Sequence, residues 1–333
     1  MSENLITYNT FKVNSKCSDL VKCLSVNELM AYLKSQDFHN TLYLILGEGS
    51  NILFRNDFNG IVLKPELKGI EILSESSDEV TIKVYNGVIW DDFVQYCVDH
   101  HYYGTENLSL IPGNVGAATY QNIGAYGVEI KDVIHEVEAI HIESRKVEHF
   151  TKDQCNFDYR SSVFKQKYQD KYIIISTTFR LSKVFKPNLE YAGLQEKLKD
   201  INTITAQNIR DVVINVRRAK LPDPDEIGNA GSFFKNPVVD EQKFQELKSK
   251  FDDLKYFQLP DNLYKIPAGW MIEKCGWKGK RIGDVGIWSK QALVVVNHGN
   301  ATGEEIYQFC QNIKQSVKDV FGILPEEEVR IIP

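Results

Sequence analysis

At 333 residues the chain exceeds one typical domain, and 43% apolar with 25% charged residues is the balance of a soluble globular protein with sizeable cores. A formal net charge of −6 excludes the basic footprint of a nucleic-acid or anionic-membrane binder, although arginines and lysines can still gather around a small anion. No apolar run approaches the length of a membrane span, so membrane insertion is not expected.

In chain order, the first third reads as strands with short turns. The apolar run 42–46 stops at Gly47 as a buried strand would, and 61–63 and 80–85 look similar. Residues 90–101 form the first clear helix, with Trp90, Phe93, Val94, Cys97 and Val98 at helical spacing. The adjacent His100 and His101 read as its exposed end, and no histidine spacing suits a metal. Strand-like alternation returns at 133–142 and 172–181. Residues 205–219 are helical, with Ile209, Val212, Val213 and Val216 in one apolar stripe. That helix stops before Leu221-Pro222-Asp223-Pro224, where two prolines withdraw backbone donors, and the main domain boundary is expected there. Beyond it helices and strands alternate. The final helix opens on the capping box Thr302-Gly303-Glu304-Glu305 and is expected to bury Ile306, Phe309, Cys310, Ile313, Val317 and Val320. A strand over 328–332 closes the chain. The six cysteines, at 17, 23, 97, 155, 275 and 310, have no CxxC spacing; with no signal peptide they predict free thiols in a reducing cytosol.

Two glycine-rich stretches stand out. Gly47-Glu48-Gly49-Ser50-Asn51 follows a strand, yet Ile52 stands where a dinucleotide fingerprint needs its third glycine, and 52–54 continues as a strand. No Walker A occurs, because Gly279-Lys280 is followed by Arg281. The stretch IPGNVGAATYQNIGAYG (111–127) carries Gly113, Gly116, Gly124 and Gly127 with alanines at 117, 118 and 125. So many small residues let a bulky ligand approach the backbone, whose N–H groups can cradle a pyrophosphate. Tight turns in a β-rich domain are the plain alternative for one such loop; two of them favour a nucleotide cofactor held without a Rossmann unit. A third run, GNAGSFFKNP (228–237), leaves Ser232 open to three readings: acyl-transfer nucleophile, proton donor, or a cap or turn hydroxyl. No histidine occurs between 150 and 297 to serve it as a base, although His298 could approach in space.

Taken in order, GEGSN, IPGNVGAATYQNIGAYG, YRSSVFK, GNAGSFFKNP, AGWMIEKCGWKGKRIGD and EEEVRII resemble the UDP-N-acetylenolpyruvoylglucosamine reductase family, bacterial flavoenzymes of peptidoglycan-precursor synthesis. The resemblance runs from Asn9-Thr10-Phe11 to Arg330. GEGSN alone is similar to loops of other flavin oxidases; GNAGSFFKNP with a terminal Glu328-Val329-Arg330 is specific. The resemblance implies an α+β protein. Residues 1–66 and 67–218 would form a two-subdomain FAD-binding part of the vanillyl-alcohol-oxidase (PCMH-like), non-Rossmann type. Residues 219–325 would form an α+β substrate-binding domain, and 326–333 a strand returning to the active site. It also implies FAD, NADPH as hydride source, reduction of UDP-N-acetylglucosamine enolpyruvate to UDP-N-acetylmuramate, a cytoplasmic location and a monomer. Glu190-Tyr191-Ala192-Gly193-Leu194 resembles the subtype whose inserted tyrosine reaches over the substrate diphosphate. Thr119-Tyr120 depart from the proline and aliphatic residue usual in the flavin loop, which bears on the rigidity of that loop and not on FAD binding.

Hydride addition to an α,β-unsaturated carboxylate leaves negative charge on an enolate, which must be steadied before a proton reaches the α-carbon. By the resemblance, Arg160 of the YRSSVFK motif supplies the planar fork for that charge, and Ser232 is the proton donor; an unperturbed alcohol is a poor acid, so a relay or a nearby cation such as Lys220 or Lys235 has to help it. Glu328 assists, either protonated through burial or through a bridging cation or water. Glu328 and Arg330, two apart on the expected closing strand, should face one side, with Arg330 near the flavin. FAD contacts are implied for Gly47, Gly49, Ser50, Asn51, Pro112, Gly113, Gly116, Gly124, Ala125, Tyr126 and Arg217, the last to the pyrophosphate. Substrate contacts are implied for Tyr159, Tyr191, Lys220, Lys235, Asn236 and Gln291, the ammonium and phenol groups suiting a diphosphate. Arg281 has no assigned role. Two other readings stay open: an FAD oxidase or dehydrogenase of another substrate on the same scaffold, and a UDP-sugar-binding module or transferase without flavin.

Overall fold

The computed structural model describes residues 2–38, 41–191 and 193–333; Ala192 of the inserted-tyrosine motif lies outside them. The chain divides into two compact units. One holds residues 17–48 and 59–217 with the first three residues, the other 4–16, 49–58 and 218–333. Each has its own apolar core.

In the first unit a five-stranded antiparallel sheet runs in the order Val147–Thr151, Ile134–His141, Tyr172–Ser182, Glu79–Tyr85, Ile70–Glu75. The middle strand is buried without a break from Ile173 to Phe179, as its run of β-branched residues demands of a strand covered on both faces. Its neighbour Glu79–Tyr85 alternates, turning Val80, Ile82 and Val84 inward. Helix Trp90–Asp99 lays Trp90, Phe93, Val94, Cys97 and Val98 on this core and ends at Asp99, two residues early, with His100 as its C-cap. Both histidines of the expected helix end are exposed. A smaller core forms where Tyr43–Ile45 pairs in parallel with Phe58–Pro65, joined by Leu29 and Leu33 of helix Val26–Lys34. Leu42, expected in that strand, is 62% exposed and stands outside it. Helix Ala206–Lys220 buries Ile209 and Val213, but Val212 and Val216 are only half-buried; the charged Arg210 is buried in their place.

In the second unit a four-stranded antiparallel sheet has the order Gly228–Ser232, Val294–Asn297, Val285–Ile287, Arg281–Ile282. Helix Gly303–Phe321 packs on it. Thr302 Oγ accepts from Glu305 N and the Glu305 carboxylate from Thr302 N, so the expected capping box forms. Ile306, Phe309, Cys310, Ile313 and Val317 are buried, but the stripe ends on Phe321, four residues beyond Val317, and Val320 is 46% exposed. The six cysteines are free thiols, and no helix among the described residues is long and apolar enough to cross a membrane.

Candidate active site

In the first unit the stretch 111–127 is more than a loop, because Val115–Tyr120 forms a short helix. Asn114 caps it, its Oδ1 accepting from Ala117 N at 3.0 Å. A Cβ on Gly47 would lie 3.1 Å from Asn114 Oδ1 and 3.3 Å from Ala117 Cβ, so the two glycine stretches meet here over small groups. Gly116 N donates to Asn86 O at 3.0 Å, and buried Thr119 shares a 2.7 Å hydrogen bond with Thr177 of the central strand. The departure at Thr119-Tyr120 is therefore a threonine pair that anchors this helix to the sheet. Gly124–Ala125 pairs with Val128–Glu129 around Tyr126 and Gly127, and the Tyr126 ring meets that of half-exposed Tyr191 edge to face, centroids 5.1 Å apart. Pro112 is exposed and Gly113 follows it in the turn before Asn114.

Arg217 tests whether this unit suits a dinucleotide. Its Nε donates to Leu110 O at 3.1 Å, while its terminal nitrogens make no hydrogen bond and no ion pair among the described residues. Burial pulls its pKa down, against the opposing pull of Tyr126 and Asp91. A desolvated guanidinium with two unspent nitrogens is a donor set that a diphosphate satisfies. The residues fit FAD.

Arg160 occupies the tip of a turn closed by Asp158 and Ser161, whose main chains exchange hydrogen bonds of 3.1 and 3.0 Å. Its φ is +52°, and Lys165 Nζ donates to its carbonyl at 3.1 Å. The guanidinium donates to Gly124 O and lies 5.2 Å from the centre of the Tyr159 ring. A Cβ on Gly124 would stand 2.9 Å from Arg160 Nη1, so glycine there makes room for the cation. Tyr159, Arg160 and the second glycine stretch are thus one cluster.

In the second unit the serine strand ends in a bulge between Asn229 and Ser232, with Gly231 N tied to Asn229 Oδ1 at 3.0 Å. Beyond it Phe233 N donates to Leu293 O at 2.8 Å, Phe233 O accepts from Glu328 N at 2.8 Å, and Lys235 N donates to Glu326 O at 2.9 Å. Segments 233–235 and 326–328 therefore form a short main-chain ladder beside Ser232. Asn51 joins it: Nδ2 donates to Glu328 O at 3.2 Å, and its own carbonyl accepts from Arg330 N at 3.0 Å. Gly49, two residues earlier, is held against Tyr8, whose carbonyl would lie 2.0 Å from a Cβ. Ser50 follows it, half-buried. The closing strand is Arg330–Ile332, parallel to Ile52–Phe54. Glu328 precedes it in a bend, outside the strand expected over 328–332. Within three residues the chain leaves its pairing with Phe234 for Ile52, and Val329 turns into the core between them.

Asn236 Oδ1 accepts from Ala268 N at 2.9 Å, and Gln291 Oε1 lies 3.2 Å from where a Gly269 Cβ would stand, so both flank the start of helix Ala268–Lys274. Lys235 Nζ pairs with exposed Glu326 at 3.2 Å. Lys220 is exposed at the end of its helix, without hydrogen bond or ion pair among the described residues. Arg281 binds Asp284 and Gly283 O in an exposed turn. The unit's histidine, His298, packs on Gly286 and the Asp284 turn, where burial and then Arg281 lower its pKa; it makes no hydrogen bond to Ser232. Ser232 has no histidine base within its unit, which removes support from the acyl-transfer reading.

Sequence reasoning missed three contributors. Asn114 carried a signal, a capping residue at the head of a run of small residues. Asn122 carried none: fully buried, it donates to Asp158 O at 2.8 Å and accepts from Lys131 N at 3.2 Å, tying the Arg160 turn to the glycine stretch. Asp91, largely buried on the 90–99 helix, is also tied to this region through Leu110 N.

Comparison with known proteins agrees with both units. Residues 19–148 match the family model described as FAD binding domain, and residues 223–332 that described as the C-terminal domain of UDP-N-acetylenolpyruvoylglucosamine reductase. A protein of that name from Flavobacterium johnsoniae is 43% identical over 99% of this chain and 98% of its own length. One from Bacteroides fragilis is 41% identical, covering 99% and 98%. The solved reductase from Thermus caldophilus shares the fold with a TM-score of 0.71 at 20% identity, over 100% of this chain and 98% of that one. The expected α+β architecture with a separate FAD-binding part holds, and by its near full-length identity the chain belongs to the UDP-N-acetylenolpyruvoylglucosamine reductase family.

Proposed function

We propose that the chain reduces UDP-N-acetylglucosamine enolpyruvate to UDP-N-acetylmuramate, using FAD and NADPH, as a cytoplasmic monomer in peptidoglycan-precursor synthesis. Residues 1–66 and 67–218 would serve as the two FAD-binding subdomains, 219–325 as the substrate domain, and 326–333 as the returning strand. The observation that carries this reading is the main-chain ladder that ties Glu328 to Phe233, next to Ser232. When bound and reduced by NADPH, FAD supplies the hydride that adds to the enolpyruvyl double bond. Arg160 engages the substrate carboxylate with its fork and steadies the charge that develops there. Ser232 Oγ gives its proton to the α-carbon, so the ether gains one hydride and one proton. Glu328 assists either as the protonated acid or across a bridging cation or water, since a bare carboxylate would repel the enolate. Arg330 brings positive charge to the flavin side.

Gly47, Gly49, Ser50, Asn51, Pro112, Gly113, Gly116, Gly124, Ala125 and Tyr126 offer backbone and small groups to FAD, and Arg217 its free nitrogens to the diphosphate. Tyr159, Tyr191, Lys220, Lys235, Asn236 and Gln291 hold the sugar nucleotide. For Lys235 that means exchanging exposed Glu326 for phosphate, a small cost for a surface pair. A visible-spectrum titration tests the reading. NADPH should bleach the yellow protein and the enolpyruvyl sugar nucleotide should restore its colour. A flavin bleached by an alcohol and not by NADPH would mark a dehydrogenase of another substrate, and a colourless protein that releases no FAD on denaturation a flavin-free module.

A further inference from the structure

Leu110 adopts a conformation that leucine avoids. Its φ of +57° is left-handed backbone, disfavoured for any residue with a Cβ, and it directly precedes Ile111-Pro112-Gly113. Charged groups hold it on both sides. Its N–H donates to Asp91 Oδ1 at 2.5 Å, and its carbonyl accepts from Arg217 Nε at 3.1 Å. Asp91 is itself fixed by Arg210, a residue only 6% exposed. Arg210 Nη1 and Nη2 reach Asp91 Oδ1 and Oδ2 at 2.7 and 2.9 Å, and Nε reaches Gln95 Oε1 at 2.7 Å. The start of the same helix grips the segment twice more, with Trp90 Nε1 on Leu108 O at 2.9 Å and Trp90 N on Gly113 O at 3.0 Å. A buried ion pair adds little net stability by itself. One whose acid also grips a strained peptide has a second use, because strain persists only where the surroundings over-determine it.

We infer that Asp91 and Arg210 are positioning residues for FAD: they lock Leu110 in its left-handed form and so present the backbone of 111–116, and the guanidinium of Arg217, before the cofactor arrives. The inference rests on the reading of 111–127 as the cofactor cradle. Neither residue need touch FAD. If the clamp works through the Leu110 conformation, then a glycine at 110, which adopts that φ unaided, replaces it.

The test uses protein stripped of flavin. FAD binding is followed by quenching of flavin fluorescence, and amide exchange is followed over 109–116. Asp91→Ala should exchange faster there and bind FAD roughly ten- to a hundredfold more weakly, the range that a lost charge-assisted hydrogen bond covers. Asp91→Ala/Leu110→Gly should recover most of that loss, which a merely structural role for Asp91 does not allow. If Asp91→Ala does not fold, Arg210→Gln with its Leu110→Gly rescue is read in the same way. Unchanged exchange of 111–116 when FAD binds the unaltered chain overturns the cradle reading and the inference together. FAD-induced protection that survives in the clamp variant at normal affinity, or a double variant no better than the single one, overturns the inference alone.

Discussion

In the proposed reaction Ser232 is an alcohol asked to act as an acid, and the histidine of its unit, His298, makes no hydrogen bond to it. Its position comes from the peptide backbone: a bulge before it and the pairing of Phe233 with Leu293 and Glu328 after it. Ser232→Ala should therefore leave the frame intact and separate chemistry from structure. Stopped-flow should find flavin reduction by NADPH nearly unchanged and reoxidation by the enolpyruvyl sugar slowed by about 10²–10⁴-fold, the usual worth of a positioned proton donor. Equal loss in both half-reactions would make the serine structural. Arg160→Lys keeps the charge but not the planar fork, and should slow the same second half-reaction on the order of a hundredfold. Both residues were singled out by the family resemblance of the runs they lie in, YRSSVFK and GNAGSFFKNP. The polar side chains that brace the Arg160 turn and the 110–116 stretch were not. Asn122 and Arg210 are buried for the sake of partners distant in sequence, and neither periodicity nor spacing marks a hydrogen bond across 36 or 119 positions.

At the scale of elements, helices with strong periodicity were readable to within a residue or two, and failures fell where packing overrode pattern. Val320 and Val216 have the right spacing but the wrong side of the stripe, while the short helix Val115–Tyr120 is hidden in residues that look like a loop. Two caps with the same chemistry should then behave differently. Thr302→Ala removes half of a capping box from a helix of 19 residues and should cost about 1 kcal/mol in urea unfolding, with FAD affinity unchanged. Asn114→Ala uncaps a helix of only six residues next to Gly47, and should weaken FAD binding as well; an affinity equal to the unaltered protein's would detach that helix from the cofactor. A pH signature belongs to the pair of helices joined by Asp91 and Arg210. Burial raises the Asp91 pKa, but the hydrogen bonds from Arg210 and Leu110 N outweigh it, and the net shift is downward. A carboxyl with a lower pKa folded than unfolded binds fewer protons in the native state, so its contribution is whole above the unfolded value of about 4 and fades as pH falls through the folded value. Asp91→Asn should flatten that acid limb of the stability curve, measured by urea unfolding at successive pH values.

Across the whole molecule, ligand linkage provides a global check. FAD that binds only the folded chain should raise its stability by about 2.7 kcal/mol at a hundredfold excess over Kd, with a melting temperature that climbs with concentration. A melting temperature indifferent to FAD would contradict the assignment. The class of fold was legible through the family resemblance that the motifs carry, but the grouping of 4–16 and 49–58 with the C-terminal half was not. That grouping depends on pairings such as Ile52 with Arg330, which join ends of the chain that no local window contains. The ladder of 233–235 against 326–328 has one more consequence. Its register is written in amides, which every non-proline residue owns, so what hangs from positions 232 and 328 is cargo on a fixed rack. Evolution or a designer can therefore trade those two groups by point substitution and sample new reactivities without having to reinvent the scaffold.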